Sequence, residues 1–173
     1  MDIGALLRDG EGRWVLDPAS SRADFHVKHF WGAMTVRGRF ERIAGEGTVE
    51  PRGTVSGHLR IEAMSLSTNN RRRDEHLRSA DFFDVTHHPE LLVKVHDVTA
   101  AGDAKLHCRG TLEAAGHVEP LELDVDVRDA SADSVVLNAE VVVDRTRFSM
   151  TWSPLGIASR RARLVVVARF VRH

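Results

Sequence analysis

At 173 residues the chain is long enough for one domain with its own core and short for two. Its 24 Lys and Arg residues nearly balance 25 Asp and Glu, so it lacks the positive field that drives phosphate-backbone binding, and no nucleic-acid partner is expected. Cys108 is the single cysteine, which excludes an internal disulfide and a multi-cysteine zinc ribbon.

Residues 1–12 read as an N-terminal extension, and residues 13–173 as one domain. Asp2, Arg8, Asp9 and Glu11 break up the apolar core that a secretory signal needs. No apolar run reaches the roughly 18 residues of a membrane span. The expected compartment is therefore the cytoplasm.

From Ala23 the chain alternates. Ala23, Phe25, Val27 and His29 oppose Asp24, His26 and Lys28, a period of two that predicts a strand with one dry face. Met34, Val36, Gly38 and Phe40 continue the pattern after Gly32 and complete a hairpin. The same period recurs over Val55–Ala63, Leu91–Val95, Leu106–Leu112, Leu121–Val127, Val135–Val143 and Leu164–Phe170. With a short strand near Thr48 to Glu50, eight or nine strands are expected. Short Gly-, Pro-, Asp- and Ser-rich links between them demand antiparallel pairing, and closure into a barrel removes the exposed edges.

Strands of about ten residues span on the order of 30 Å. Their inward positions include Gly38, Gly57, Ala63, Gly110, Ala139 and Ala168, which leave room for a guest in a barrel of about eight strands. The same residues also suit bends and bulges in a filled barrel.

Asn69 to Asp84 breaks the alternation. Leu77, Ala80 and Phe82 or Phe83 fall at helical spacing, so a short helix is predicted around residues 70–83, with Asn70 as its cap and His88-Pro89 as its stop. Phe82 and Phe83 would then plug or line one mouth of the barrel.

Within this stretch, Asn70-x-x-Arg73-Asp74-x-His76-Leu77-Arg78-Ser79-x-Asp81-Phe82-Phe83-Asp84-Val85, followed by His88-Pro89-Glu90, resembles the central motif of the YceI-like family. Trp14-Val15-Leu16-Asp17-Pro18, Gly38-Arg39-Phe40, Leu66 to Asn70, Gly110-Thr111-Leu112 and Asp144 to Phe148 extend the resemblance in order along the chain. It implies an all-β, extended, eight-stranded antiparallel barrel of lipocalin-like form, with a polyisoprenoid or other long lipid inside. The expected function is non-catalytic binding, storage or transport of a polyisoprenoid or fatty-acyl lipid. Two rivals are a solid barrel serving as a protein-interaction module and a lipid-modifying enzyme.

On this scaffold Phe25, Val27, Phe40, Leu59, Ile61, Val93, Val141 and Phe170 are the expected ligand contacts. Leu77, Phe82, Phe83 and Phe148 lie nearer an end, and His29 is the polar residue that points inward. Arg73, Asp74 and His76 are candidates for a lipid head group; Asp74 and His76 also suit hydrogen bonds fastening the helix to the barrel.

Other chemistry finds little support. His26 and His29 face opposite sides of a strand, a poor geometry for a shared metal, and His87-His88 sits in a turn. Cys108 points into an apolar interior that dulls a thiol, and there is no nucleophile elbow or phosphate loop. Neither a metal nor a cofactor is expected. Val165, Val167 and Val171 lie on the wet side of the last strand and suggest a homodimer.

Overall fold

The computed structural model describes residues 2–173 and resolves the alternation into eleven strand segments. They begin with β1 (Gly12–Leu16), β2 (Arg22–His29), β3 (Met34–Phe40), β4 (Ile43–Val49), β5 (Val55–Glu62) and β6 (Leu66–Ser67). After an interruption come β7 (Glu90–Ala100), β8 (Lys105–Ala114), β9 (His117–Ala130), β10 (Ser134–Asp144) and β11 (Ala158–Arg172). Eight of them, in the order β1-β4-β5-β7-β8-β9-β10-β11, form a ring of antiparallel pairs. It closes where Trp14 to Leu16 meet Phe170 to Arg172.

β11 serves two partners end to end on one edge, β1 at Phe170–Arg172 and β2 from Ala158 to Val167. β2 and β3 carry the wall past β1 and β4, but β3 meets β6 only at Arg39 and Phe40. Among the described residues, no strand pairs with Met34 to Gly38 on that second edge, which leaves a seam. From residues 68–89, which run from β6 to β7, Leu77, Phe82 and Phe83 pack on the core of this end, with Phe83 set against Phe25 and Phe40.

The small inward residues divide between the two roles open to them. A Cβ on Gly110 would stand 1.7 Å from the carbonyl oxygen of Lys94, so only glycine fits there. The close approach accompanies a bulge at His96, which lets Val98 return to the inside after Val95. Gly38 lies beneath the Phe25 ring, 2.2 Å from where a Cβ would be. Gly57, Ala139 and Ala168 instead border empty space.

Two helices accompany the barrel. The predicted helix, α2, runs over Arg71–Arg78, with the Asn70 side chain accepting a hydrogen bond from the Arg73 amide at 3.0 Å. It is shorter than expected because Ser79 turns to extended backbone, so Phe82 and Phe83 come from the turn that follows. The stretch read as an N-terminal extension contains α1 (Ile3–Asp9), capped by Asp2, whose side chain accepts from the Ala5 amide. Ile3 is buried against Trp14, Leu106, Cys108 and Val125, and Trp14 Nε1 donates to the Gly10 carbonyl at 2.8 Å.

Candidate functional site

The ring encloses a cavity of about 250 Å³. β8 to β11 face it with aliphatic side chains, among them Leu106, Val125, Leu137 and Val166. On the opposite wall Gly47 pairs with Gly57 between β4 and β5, so no side chain projects there and the backbone sets the cavity's width. Leu6 and Leu7 of α1 close one end of it.

Of the residues expected to touch a ligand, Phe40, Leu59, Ile61, Val93, Val141 and Phe170 line this space. Phe25, Phe83 and Phe148 lie beyond its other end. Phe25, Phe40 and Phe83 form an aromatic block with ring centres 5.5 to 6.2 Å apart, and Phe148 is buried in the same core. Val27, Leu77 and Phe82 pack against that core from the side. His29, at the end of β2, stands among the cations of this end: burial first, then Arg145 and Arg73, hold its pKa below the ordinary imidazole value.

The head-group candidates are engaged in fastening α2. Asp74, buried, accepts from the Thr68 amide at 2.8 Å and from the Thr68 hydroxyl at 2.6 Å. Arg73 donates to the Thr68 hydroxyl at 2.8 Å and to its carbonyl at 2.9 Å. His76 pairs with Asp81 at 2.8 Å and stands edge-on to Phe82 and Trp152. Arg145, which was read only as part of a motif, is more deeply built in than any of these. It is 5% exposed and donates to the carbonyls of Met150, Trp152, Ala158 and Ser159, holding the loop before β11 in place. Sequence reasoning could not see this, because a guanidinium that bonds only carbonyls leaves no charge pattern.

Cys108 faces the cavity, and burial pushes its pKa up to about 11, away from nucleophilic use. Among the described residues no group of three His, Cys, Asp or Glu side chains is placed to hold a metal ion, and no buried side-chain polar atom lacks a partner. The charged clusters lie outside: His107 bridges Glu122 and Asp124, each at 2.9 Å, and its pKa is raised by those hydrogen bonds, Asp124 first. On β11, Val165, Val167 and Val171 are half-buried, Val165 lying between Asp24 and Glu140 in register. What the geometry offers is an apolar container with polar groups on its outer face and at the end away from α1.

Leu6 and Leu7 were not expected at the site, although a signal existed. Ile3, Leu6 and Leu7 fall at i, i+3 and i+4 behind a capping Asp2, the pattern of a short amphipathic helix.

The profile of the YceI-like domain matches residues 14–170, nearly the whole barrel. The chain belongs to the YceI-like family. A UPF0312 protein of Pectobacterium carotovorum is 28% identical over 156 residues, covering 86% of this chain and 80% of the relative. A UPF0312 protein of Vibrio cholerae is 28% identical over 124 residues, 69% of this chain, and the match spans 65% of the relative's length. The fold of this YceI-like chain is similar to that of Burkholderia cenocepacia BcnA (TM-score 0.80, 16% identity, covering 89% of this chain and 98% of BcnA). It is also similar to a polyisoprenoid binding domain from Saccharophagus degradans (TM-score 0.77, 16% identity, covering 92% and 98%).

Proposed function

We propose that the protein is a non-catalytic carrier or store for one long apolar chain, a polyisoprenoid or fatty-acyl lipid, held inside the barrel. The observation that carries this reading is a cavity of about 250 Å³ whose walls are mainly aliphatic and aromatic side chains, with the Cys108 thiol among them held protonated by burial. The polyisoprenoid-binding domain that shares the fold supports the choice of ligand class. Leu59, Ile61, Val93, Val141 and Phe170 would form the contacts, with Phe40 where the cavity meets the aromatic block.

Size sets the terms of binding. At roughly 30 Å³ for each water-sized group, 250 Å³ takes on the order of ten carbons without movement of the wall. Ten buried methylenes contribute about 8 kcal/mol gross, of which association removes at least about 4. Twenty would contribute about 16 kcal/mol, and such a chain needs the wall to yield. The seam along Met34 to Gly38 is where no strand ladder has to break.

Native mass spectrometry and solvent extraction of freshly purified protein test the proposal, with recovered lipid or uptake of added polyprenyl and fatty-acyl probes as the expected result. Ala139→Trp should fill the cavity and abolish uptake while the barrel still melts cooperatively. Gly57 is the poorer site for such a block, since even a Cβ there would stand 2.8 Å from the Glu46 carbonyl oxygen. An empty cavity that takes up no probe would overturn the carrier reading.

A further inference from the structure

At the seam end the molecule shows large apolar side chains to water. Trp31 is 82% exposed and Leu155 94%, with Met34 at 60% and Phe30 at 47%. Two loops carry them, residues 30–33 between β2 and β3, with Met34 opening β3, and residues 152–157 before β11. The pairing of His29 with both Met34 and Ala158 brings these loops to the same end of the barrel.

Their backbones are held at a cost. Phe30, Trp31 and Leu155 have φ of 49°, 53° and 54°, a region that bulky L residues avoid, and Gly32 and Gly156 follow at positive φ. Strain that keeps three large apolar side chains away from the protein's own core has a physical use when another apolar medium receives them.

Charge points the same way. Lys28, Arg37 and Arg161 are exposed on the strands that lead into these loops, and among the described residues none of them has a carboxylate partner. The acids of β2 and of the neighbouring β10 are already paired: Asp24 with Arg39, Glu140 with Arg163, and Asp144 with Arg160.

We propose that this end is a membrane-docking tip. Trp31 and Leu155 enter the apolar edge of a bilayer, Phe30 and Met34 sit at its interface, and Lys28, Arg37 and Arg161 rest on the phosphates of anionic lipids. Two protruding loops do not make the flat, self-complementary patch of a two-fold interface, which argues against a second copy as the occupant. Docking in this pose sets the seam beside β3 against the bilayer. The inference goes beyond the cavity reading and stands on separate observations.

Flotation of the full chain with vesicles tests it, using phosphatidylcholine alone and phosphatidylcholine mixed with phosphatidylglycerol. The protein is expected to float with the mixed vesicles at least about tenfold better than with the neutral ones, and the preference is expected to shrink in high salt. The double variant Trp31→Ser/Leu155→Ser should lose flotation at least about tenfold while keeping its melting temperature. Absence of flotation by the wild type, or equal flotation by the double variant, overturns the proposal. So does a dimer in light scattering that the double variant dissolves, since a second copy would then cover the tip. Cavity lipid measured on the same samples separates the two readings: flotation lost with lipid retained concerns the tip alone, and flotation kept with an empty cavity overturns only the carrier.

Discussion

At the α1 end the barrel is stopped by Leu6 and Leu7, which face the cavity on apolar contact with Ile3 buried in the core beside them, whereas at the seam end Arg73, Asp74, Arg78 and Arg145 bind a loop-built wall to backbone groups. Apolar contact is non-directional, so the first closure loosens gradually as contacts are lost. Buried hydrogen bonds to carbonyls are directional, and removing their donor leaves unsatisfied groups behind. The α1 end should therefore govern how long a guest stays, and the seam end whether the fold holds its shape.

The largest effect expected from this contrast is at Arg145. Arg145→Ala strands four carbonyls and should cost about 4 kcal/mol in urea unfolding, with Arg145→Lys recovering only part because its single ammonium cannot span them. A cost below about 1 kcal/mol would show that water replaces the guanidinium freely.

At the other end, Leu6→Ser/Leu7→Ser should cost less, about 2 kcal/mol, since both leucines are only partly buried. The same change should release a bound fatty-acyl probe several-fold faster, read by stopped-flow fluorescence. If release is unchanged while Phe83→Ala accelerates it, the roles of the two ends are reversed.

Cys108 reports on access from the α1 side. With its pKa near 11 it should hold roughly a hundredfold less thiolate than an ordinary cysteine and react correspondingly slowly with a small alkylating reagent. The Leu6/Leu7 variant should speed that reaction, bound lipid should slow it, and Arg145→Ala should change it little.

The smallest effect is in pH. His107, on the outer face near the α1 end, has a raised folded-state pKa; its contribution to stability is full below the unfolded value of about 6.5 and fades as pH rises through the folded value. His29 at the seam end has a lowered pKa and costs stability as pH falls through about 6.5, because the unfolded chain takes the proton more readily. Hydrogen exchange at the two ends should therefore shift in opposite directions between about pH 5.5 and 8. His107→Gln should flatten the first response and His29→Gln the second.

Much of this protein was legible in one dimension. The period of two over Val55–Ala63, Leu106–Leu112 and Val135–Val143 specified strands with a dry face, since a one-residue slip would turn every apolar side chain outward. Short links made the pairing antiparallel. Six of the expected ligand contacts line the cavity for the same reason. What alternation could not tell was which inward positions leave space: Gly38 carries the Phe25 ring and Gly110 the Lys94 carbonyl, while Gly47, outside the strands expected from periodicity, opens the wall.

By itself, then, the amino-acid order determined an all-β barrel, the dry face of most strands and the aromatic residues near one end, because these follow from local periodicity. Tertiary structure alone decided where the ring closes, that β11 serves both β1 and β2, that α1 stops the cavity and that Arg145 ties down four carbonyls. Those features depend on groups far apart in the chain meeting in space, and on backbone atoms that every residue carries alike.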